Sequence, residues 1–344
     1  MQLTERIEAL VKLGTCMVDA ANGNGNSAIV AVISSAQQQN PWFDPSSVKH
    51  SLKSIGAEWL TPHALNAWIS GYPQGFFNPS APKSVGTIMA GNVPLVGFQD
   101  LLCVIATGNR FVGKNSSKDG GILQAVTSTL IDIEPRFAEQ IAYTETLQGQ
   151  FDCIIATGSN NTVRYFEYHY RDIPSIIRHN RNSVAVLTGA ETEWEQMALA
   201  SDIFTYYGLG CRNVSALIVP KGYSVEVLLS KFAHWKHVES NTKYSNNYRY
   251  NKALLKMNGV KFTDNGFLLA KEDFAISSPV SVINYWHYNS MDEVNEFIAL
   301  NSSSIQCVVA NSSNLPNAVP FGYAQTPILM DYPDNIDIID FINK

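Results

Sequence analysis

The chain has 344 residues, 45% of them hydrophobic, and a net charge of −6 at pH 7. This length allows one large or two ordinary domains with an ample core. The acidic balance, without a lysine or arginine run, argues against nucleic acids and anionic membranes as general partners. No apolar run reaches the roughly 18 residues of a membrane span. Five scattered cysteines without C-x-x-C spacing favour reduced thiols over disulfides or zinc. We expect a soluble, cytoplasmic protein without a bound metal.

The first 83 residues are predicted to be mostly helical. Helices are expected over residues 1–20 and 26–39, with an Asn/Gly-rich break between them. A third helical stretch is expected over 46–70, with Pro62 near a helix start. Residues 71–83 are rich in Gly, Pro and Asn and indicate a loop.

From residue 85 onwards, short apolar strands alternate with helices. The expected strands are 85–90, 109–114, 151–157 and 183–187, and the expected helices are 95–107, a segment ending near 131, and 160–169. This alternation predicts an α/β fold with a mostly parallel, doubly wound sheet. Such sheets bind ligands at the carboxyl ends of their strands.

Beyond residue 190 the alternation continues. The expected elements are a helix over 192–207, a strand over 214–219, a helix over 224–233, strands with turns over 252–273, a strand over 280–285, a helix over 290–300 and a strand over 308–310. The Asn/Tyr-rich stretch 240–251 is expected to be an exposed loop, 319–327 a further loop, and 336–342 a last strand or helix.

Residues 206–214, with the sequence YYGLGCRNV, are the most informative stretch of the chain. Cys211 stands on a Gly-x-Gly turn, before a β-branched, apolar run. Glycine lets the backbone approach a ligand closely. A thiol in this position can attack a carbonyl while its own amide N–H faces the developing oxyanion. A cysteine packed in an ordinary turn would give the same pattern, so both interpretations stay open at this point.

Several short motifs follow one another along the chain. They are an Asn-x-Pro turn at 92–94, Lys-x-Ser at 114–116, Thr-Gly-Ser at 157–159, the Cys211 turn, Ser-Pro-Val-x-Val at 278–282 and Pro-Phe-Gly at 320–322. This succession resembles the aldehyde dehydrogenase superfamily between residues 85 and 322. Within that superfamily, the closing segment 319–332 is similar to the acyl-CoA reductases of the bacterial luciferase aldehyde-supply system.

The resemblance implies an α/β, aldehyde-dehydrogenase-like fold. Residues 1–182 would form the N-terminal helices and a doubly wound, dinucleotide-binding domain, 183–325 an α/β catalytic domain that carries the cysteine, and 326–344 a C-terminal tail. Cys211 matches the nucleophile of the family, and Asn92 matches the asparagine whose amide stabilises the oxyanion. An asparagine that only closes a turn would look the same.

The resemblance also implies a nicotinamide cofactor. Lys114 and Ser116 match the turn that binds the adenosine ribose, and Gly158 and Ser159 match a glycine–serine turn beside the cofactor. Where the family often has a glutamate that binds the ribose hydroxyls, this chain has Ser117. Without that carboxylate a 2′-phosphate is not repelled, so NADPH is expected rather than NADH. A solvated loop and a plain strand–helix junction are the alternatives for these two turns.

The chain departs from the family pattern at two places. Hydrolytic members carry a water-activating glutamate where this chain has residues 177–181, which contain no carboxylate. Its loss favours reduction of an acyl-enzyme over its hydrolysis. His179 lies in this segment and is a candidate proton donor, although lone histidines are often structural. Residues 275–279 replace the segment whose glutamate holds the nicotinamide ribose, so a looser hold on that end is expected.

These features predict an NADPH-dependent acyl-CoA reductase that releases an aldehyde. Acyl-CoA is the expected substrate, an acyl-transferring protein is a candidate partner, and a homodimer is expected. Two alternatives stay open: an oxidative NAD(P)-dependent aldehyde or semialdehyde dehydrogenase, and a non-catalytic partner subunit of an acyl-transfer complex. CoA and an acyl-carrier protein both stay open as the carrier of the acyl group.

Overall fold

The computed structural model describes residues 1–25, 27–158, 160–311, 315 and 317–344. The chain divides into two compact units. One comprises Met1–Asn180 with Ile328–Lys344, and the other comprises Arg181–Pro327. The sequence predicts a domain boundary after residue 182 and a separate C-terminal tail over residues 326–344. In the structure the C-terminal segment belongs to the first unit, because its apolar side chains join that unit's core.

The first unit is built on a five-stranded parallel sheet. Its helices and strands are α1 (Leu3–Ala21), α2 (Ser27–Gln39), α3 (Pro45–Ser54), α4 (Pro62–Ser70), β1 (Ser84–Ile88), α5 (Phe98–Ala106), β2 (Arg110–Lys114), α6 (Ile122–Ile133), β3 (Ile141–Tyr143), β4 (Cys153–Thr157), α7 (Asn160–His169) and β5 (Ser175–Arg178). The strand order is β3-β2-β1-β4-β5. The sequence missed β3 and β5, which are the two edge strands.

Both faces of this sheet are covered, as a doubly wound fold requires. Along β4, Cys153 and Ile155 face the core formed with the N-terminal helices. Ile154 and Ala156 face the opposite side, where they pack with Phe166 of α7. The period-2 alternation of a strand thus supplies apolar side chains to both layers of helices.

The helical stretch predicted over 46–70 is interrupted in the structure. After α3 the chain forms one π-helical turn at Ile55–Trp59. The helix α4 then starts anew, because Thr61 caps it through a hydrogen bond from the Ala64 N–H, and Pro62 is its first residue. Proline is well tolerated at that first position but not inside a helix.

The second unit contains a six-stranded sheet. Its elements are β6 (Asn182–Val186), α8 (Glu193–Phe204), β7 (Val214–Pro220), α9 (Val225–Ser230), α10 (Thr242–Met257), β8 (Thr263–Asp264), β9 (Leu269–Glu272), β10 (Val282–Tyr288), α11 (Met291–Leu300) and β11 (Ile305–Val309). The strand order is β11-β6-β7-β10-β9-β8, and all pairs are parallel except β8 with β9.

The expectation of an exposed loop over 240–251 is wrong, because most of this stretch belongs to the helix α10. The expectation of strands from residue 252 is also wrong up to residue 257, where α10 ends. Asn241 caps α10 by accepting hydrogen bonds from two backbone N–H groups. The buried hydroxyl of Tyr244 donates to the Phe267 carbonyl at 3.0 Å, and buried Asn251 donates to the Val280 carbonyl at 2.9 Å. Tertiary contacts thus outweigh the weak helix propensity of this Asn- and Tyr-rich sequence.

The last helix, α12 (Ile338–Asn343), packs within the first unit. A buried polar network fixes the segment that precedes it. The Tyr332 hydroxyl accepts from Trp68 Nε1 at 2.6 Å and lies 2.6 Å from the Tyr72 hydroxyl, which donates to Asp337. No helix in the described ranges is both long and apolar enough to cross a bilayer.

Candidate active site

Cys211 lies half-buried in the turn that joins α8 to β7. The backbone that leads into this turn is left-handed at three successive residues, with φ of 55° at Tyr206, 59° at Tyr207 and 77° at Gly208. Left-handed backbone at a non-glycine residue costs on the order of 1–3 kcal/mol, so the surroundings must hold it in place. Both tyrosine residues are buried, which fixes this approach to the cysteine.

The side chain of Asn213, which is 1% exposed, holds the turn from inside. Its amide nitrogen donates to the carbonyl oxygens of Asp202 at 3.0 Å and Thr205 at 2.8 Å, where α8 ends. Its amide oxygen accepts from the backbone N–H of Gly210 at 2.8 Å. One carboxamide therefore ties the residue before Cys211 to carbonyls that have no partner within the helix.

The peptide that follows Cys211 is held from another side. Ser183, fully buried on β6, donates its hydroxyl to the Cys211 carbonyl at 3.0 Å. Cys307 of β11 contacts the same hydroxyl, with 3.0 Å between Sγ and Oγ, and its backbone N–H donates to Ser183 Oγ at 3.2 Å. All five cysteines of the chain are thiols.

A buried carboxyl group on α8 fastens a second loop to this turn. The two carboxyl oxygens of Asp202 accept from the backbone N–H groups of Gly322 at 2.7 Å and Ala324 at 2.9 Å. Arg212, next to the cysteine, donates Nε to the Ala324 carbonyl at 2.5 Å. Burial raises the pKa of Asp202 to about 7, although the two amides and Arg212 act in the opposite direction. The Pro-Phe-Gly segment is thereby connected to the Cys211 turn.

In the first unit, three strands end side by side. Ile88 at the end of β1 is paired with Lys114 of β2 on one side and with Ala156 of β4 on the other. The turns that carry Asn92, Ser116 and Gly158 therefore leave the sheet at the same edge. This carboxyl edge is where parallel α/β sheets bind their ligands.

The turns after β1 and β2 are in direct contact. A Cβ atom added to Gly91 would lie 2.6 Å from Ser116 Oγ, so a larger residue would push the turns apart. Buried Asn40 donates its amide to the carbonyls of Gly91 at 3.3 Å and Lys118 at 3.0 Å, and so bridges both turns. Asn92 follows directly and is exposed at the edge.

The side chains expected to bind the cofactor lie at the end of β2. Lys114 is half-buried, and its ammonium has no carboxylate partner among the residues that the structure covers. Ser116 Oγ accepts from the Lys118 N–H at 3.2 Å, and Ser117 is exposed. A half-buried cation without an anion favours binding of a negatively charged group, so this turn is compatible with the predicted role.

Gly158 follows β4, and the structure gives it a packing role. An added Cβ would lie 3.0 Å from both Phe166 and Thr162 of α7. Glycine therefore lets this helix pack against the end of the strand. Ser159, the other predicted residue of this turn, lies outside the described residues.

Residues 177–181 begin at the end of β5, and they contain half of a buried ion pair. Arg178 forms two hydrogen bonds of 2.8 Å to the carboxylate of Asp100, and both side chains are almost fully buried. His179 is exposed, with Nε2 3.9 Å from a carboxylate oxygen of Glu167 on α7. Its role as a proton donor remains a prediction.

The structure thus brings Asn92, Lys114, Ser116 and Gly158 to one sheet edge of the first unit, and it places Cys211 in the second. Sequence reasoning missed the buried polar residues that hold these turns, namely Asn40, Ser183, Asp202 and Asn213. A polar residue inside an apolar helix pattern, as at Asp202 between Leu199 and Ile203, was the available signal.

Comparison with known proteins identifies the family. The family model of acyl-CoA reductase (LuxC) matches residues 31–235. The curated long-chain acyl-protein thioester reductase 2 of Photobacterium leiognathi is 23% identical over 188 residues, which are 50% of this chain and 38% of that protein. The long-chain acyl-protein thioester reductase of Aliivibrio fischeri is 25% identical over 166 residues, 43% of this chain and 34% of that protein. The matched region spans little more than a third of these relatives.

The fold has solved counterparts. The indole-3-acetaldehyde dehydrogenase AldA of P. syringae, determined in complex with NAD⁺, superimposes with a TM-score of 0.65 and 12% identity, over 92% of this chain and 74% of that one. The predicted α/β, aldehyde-dehydrogenase-like fold is confirmed. Since the family model covers more than half of the sequence, the chain belongs to the acyl-CoA reductase (LuxC) family.

Proposed function

We propose that the protein reduces an acyl thioester to an aldehyde through an acyl group bound to Cys211. The observation that supports this most strongly is the construction of the Cys211 turn. Asn213, Ser183 and the left-handed approach fix the backbone on both sides of a half-buried thiol. The similarity to proteins described as acyl-protein thioester reductases supports the same class of reaction.

The reaction starts with attack of the Cys211 thiolate on the thioester carbonyl. A new carbon–sulfur bond forms, the bond to the donor thiol breaks, and that thiol leaves with a proton. His179 is our candidate for delivering this proton. We expect the carboxamide of Asn92 and the backbone N–H of Cys211 to donate to the carbonyl oxygen as it becomes negative, an effect worth about 2.7–4 kcal/mol per donor.

The second half-reaction frees the aldehyde. When held at the turn of Lys114 and Ser116, a reduced nicotinamide cofactor would supply the hydride that the carbonyl carbon of the acyl-enzyme needs. The same two donors would then stabilise the oxyanion, and its collapse breaks the bond to Cys211 and leaves a thiolate. This thiolate takes up one proton from the solvent, which replaces the proton that the departing thiol carried away. The overall balance is acyl thioester + NADPH + H⁺ → aldehyde + thiol + NADP⁺.

The sheet edge of the first unit fits the adenosine end of such a cofactor. Lys114 offers a cation that has no carboxylate partner in the described part of the chain, and the adjoining turns of Gly91 and Ser116 leave no space for larger residues between them. The amide oxygen of Asn115 is buried and has no hydrogen-bond partner within the described residues, so it is available to a ribose hydroxyl. The neutral residue Ser117 favours NADPH over NADH.

Residues 177–181 contain no carboxylate that could activate water, and this favours reduction of the acyl-enzyme over its hydrolysis. In hydrolytic relatives this position supplies the water-activating carboxylate, whereas here Arg178 occupies it and is bound to Asp100. A buried arginine cannot act as a general base. An acyl-enzyme on Cys211 would therefore survive long enough to be reduced.

The donor of the acyl group is either acyl-CoA, as the sequence predicts, or an acylated protein, as the names of the curated relatives suggest. Both present the same thioester carbonyl to Cys211. Aldehyde formation should be measured with each donor in turn, using palmitoyl-CoA and palmitoyl-loaded acyl-carrier protein with NADPH.

The central experiment replaces Cys211 by alanine. We expect Cys211→Ala to abolish aldehyde formation and to leave NADPH binding intact, measured by the fluorescence of the bound nucleotide. Cys16→Ala is the matched control, since Cys16 is also a half-buried thiol but lies on α1 of the first unit, and it should keep most of the activity. Normal turnover by Cys211→Ala would refute the mechanism. Acid formed from aldehyde and NADP⁺ without CoA would instead support the oxidative alternative.

A further inference from the structure

The basic residues of this acidic protein are concentrated in one segment. Residues 231–261 carry seven of its 24 lysines and arginines but only one of its 30 aspartates and glutamates. Three of these cations are paired: Lys231 with Glu193, Lys236 with Glu239 and Lys252 with Asp264. The segment therefore has a positive surface within a chain whose net charge is −6, and such a surface attracts anions.

A shallow, open groove of about 660 Å³ lies within this segment. Its walls are the 3-10 helical segment Lys231–Ser240 and the first half of α10, and its lining residues are Lys236, His237, Glu239, Ser240, Ser245 and Arg249. Lys236 and Arg249 are exposed on it. Arginine offers a planar fork of N–H donors that matches phosphate oxygens, and lysine adds a point charge.

The other lining groups shape the groove. Ser240 donates its hydroxyl to the His237 carbonyl at 2.7 Å, and Ser245 donates to the Glu239 carbonyl. Both hydroxyl groups donate to backbone carbonyls of the groove wall, so the cationic side chains are the groups that would bind an anion. The Glu239 carboxylate lies 4.0 Å from Lys236. It offsets part of the positive charge, so a ligand must carry more than one negative charge to be held well.

Aromatic contacts connect the walls of this groove to the segment that enters the Cys211 turn. Trp235 of the 3-10 segment stacks on Phe204 at the end of α8, with 5.8 Å between ring centroids. Tyr244 of α10 packs against Tyr207 at 6.0 Å. Both walls are therefore anchored to the residues that lead into the cysteine, within the same unit of the protein.

We propose that this groove binds the phosphate groups of the thiol that carries the acyl chain. This inference rests on the proposed function, because it identifies the part of the substrate that lies beyond the thioester. Two kinds of donor share the chemistry. Coenzyme A carries a diphosphate and a 3′-phosphate, and a carrier protein carries a phosphodiester on its pantetheine arm. Pantetheine itself has no phosphate, and the groove should not recognise it.

Titration calorimetry tests the groove without any need for turnover. Lys236→Gln/Arg249→Gln should weaken the binding of CoA about tenfold, because two charge-assisted contacts to phosphate are lost. The control Lys256→Gln/Lys261→Gln removes the same charge from two exposed positions outside the groove and should change the Kd less than about twofold. An equal loss in both variants would show a general effect of charge and would overturn the proposal.

Steady-state kinetics separates the two sources of phosphate. With acyl-CoA, the groove variant should raise KM about tenfold at constant kcat, and with acyl-pantetheine it should change neither. A raised KM for acylated carrier protein alone would support the groove with that protein as donor. Unchanged CoA binding together with unchanged KM for both phosphate-bearing donors would refute it. If the wild type reduces no thioester, the proposed function fails, and calorimetry with CoA still decides on the groove.

Discussion

The replacement Asn213→Ala tests whether the Cys211 turn depends on one buried carboxamide. In the structure this side chain makes three hydrogen bonds of 3.0 Å or less, to Asp202, Thr205 and Gly210. Alanine removes the hydrogen-bond partner that Asn213 provides to these two carbonyls and one N–H. The turn then loses the connection between the cysteine and the end of α8.

The expected cost follows from those contacts. A hydrogen bond within a protein contributes a net 0.5–1.5 kcal/mol, so three of them correspond to about 3 kcal/mol of unfolding free energy. The variant should still fold, since typical domains have about 5–15 kcal/mol of stability. Because the Cys211 sulfur and N–H would lose their fixed positions, we expect kcat to fall about a hundredfold with KM nearly unchanged.

The assay combines urea unfolding with aldehyde formation under conditions where the variant is folded. Asn251→Ala is the matched control, because Asn251 is also buried in the second unit and donates to a distant carbonyl, that of Val280. It should lose about 1 kcal/mol of stability and keep kcat within about twofold. If Asn213→Ala loses no more stability than this control, or keeps its kcat while folded, the reasoning is wrong.

Two further predictions concern charge. Burial raises the pKa of Asp202 to about 7 in the folded protein, above the value of about 3.9 for an unfolded aspartate. The folded state therefore binds the proton more tightly, and stability falls as the pH rises from about 4 to about 7. Asp202→Asn should flatten that slope in unfolding curves recorded across this range, and an unchanged slope would contradict the assignment. Ser117→Glu introduces a carboxylate where we expect the 2′-phosphate, so the ratio of KM for NADPH to KM for NADH should rise at least about tenfold. Ser117→Gln, which adds similar bulk without charge, should leave this ratio nearly unchanged.

The central strands could be predicted because each is a short apolar run bounded by turn residues. The strands β1, β2, β4, β6 and β7 all lie where the sequence indicates them, within a few residues. The edge strands β3 and β5 were not predicted, and the reason is physical. β3 has only three residues, and β5 ends on Arg178, whose charge is neutralised by Asp100 far away in the sequence. The local pattern of hydrophobic residues contains no information about a partner that lies 78 residues away in the sequence.

The helix α10 was missed for a related reason. Its 16 residues are rich in asparagine and tyrosine, which favour loops or strands when no other contact intervenes. Its stability derives from side chains that contact other elements, such as Tyr244 with the Phe267 carbonyl and Lys252 with Asp264. These contacts also position α10, which forms one wall of the groove. Because the helix was not predicted, the groove could not be predicted either.

Of the candidate site, the sequence indicated the residues proposed for chemistry but not those that hold them. Cys211, Asn92 and Lys114 stand in short motifs that can be recognised locally. Asn40 and Asp202 act on backbone that lies far along the chain. The amide of Asn40 reaches a carbonyl 51 residues away, and the carboxylate of Asp202 reaches an N–H 120 residues away.

The two glycines of the first unit's sheet edge show how such motifs should be weighed. At Gly158 the contacts with α7 account for glycine fully, so this residue alone is no evidence for a cofactor. At Gly91 the close approach to Ser116 joins the turn before Asn92 to the turn after Lys114. A substitution at Gly91 would therefore disturb the proposed ribose contact and the proposed oxyanion donor together. The case for a dinucleotide thus rests on Lys114 and its neighbours rather than on the glycine–serine turn.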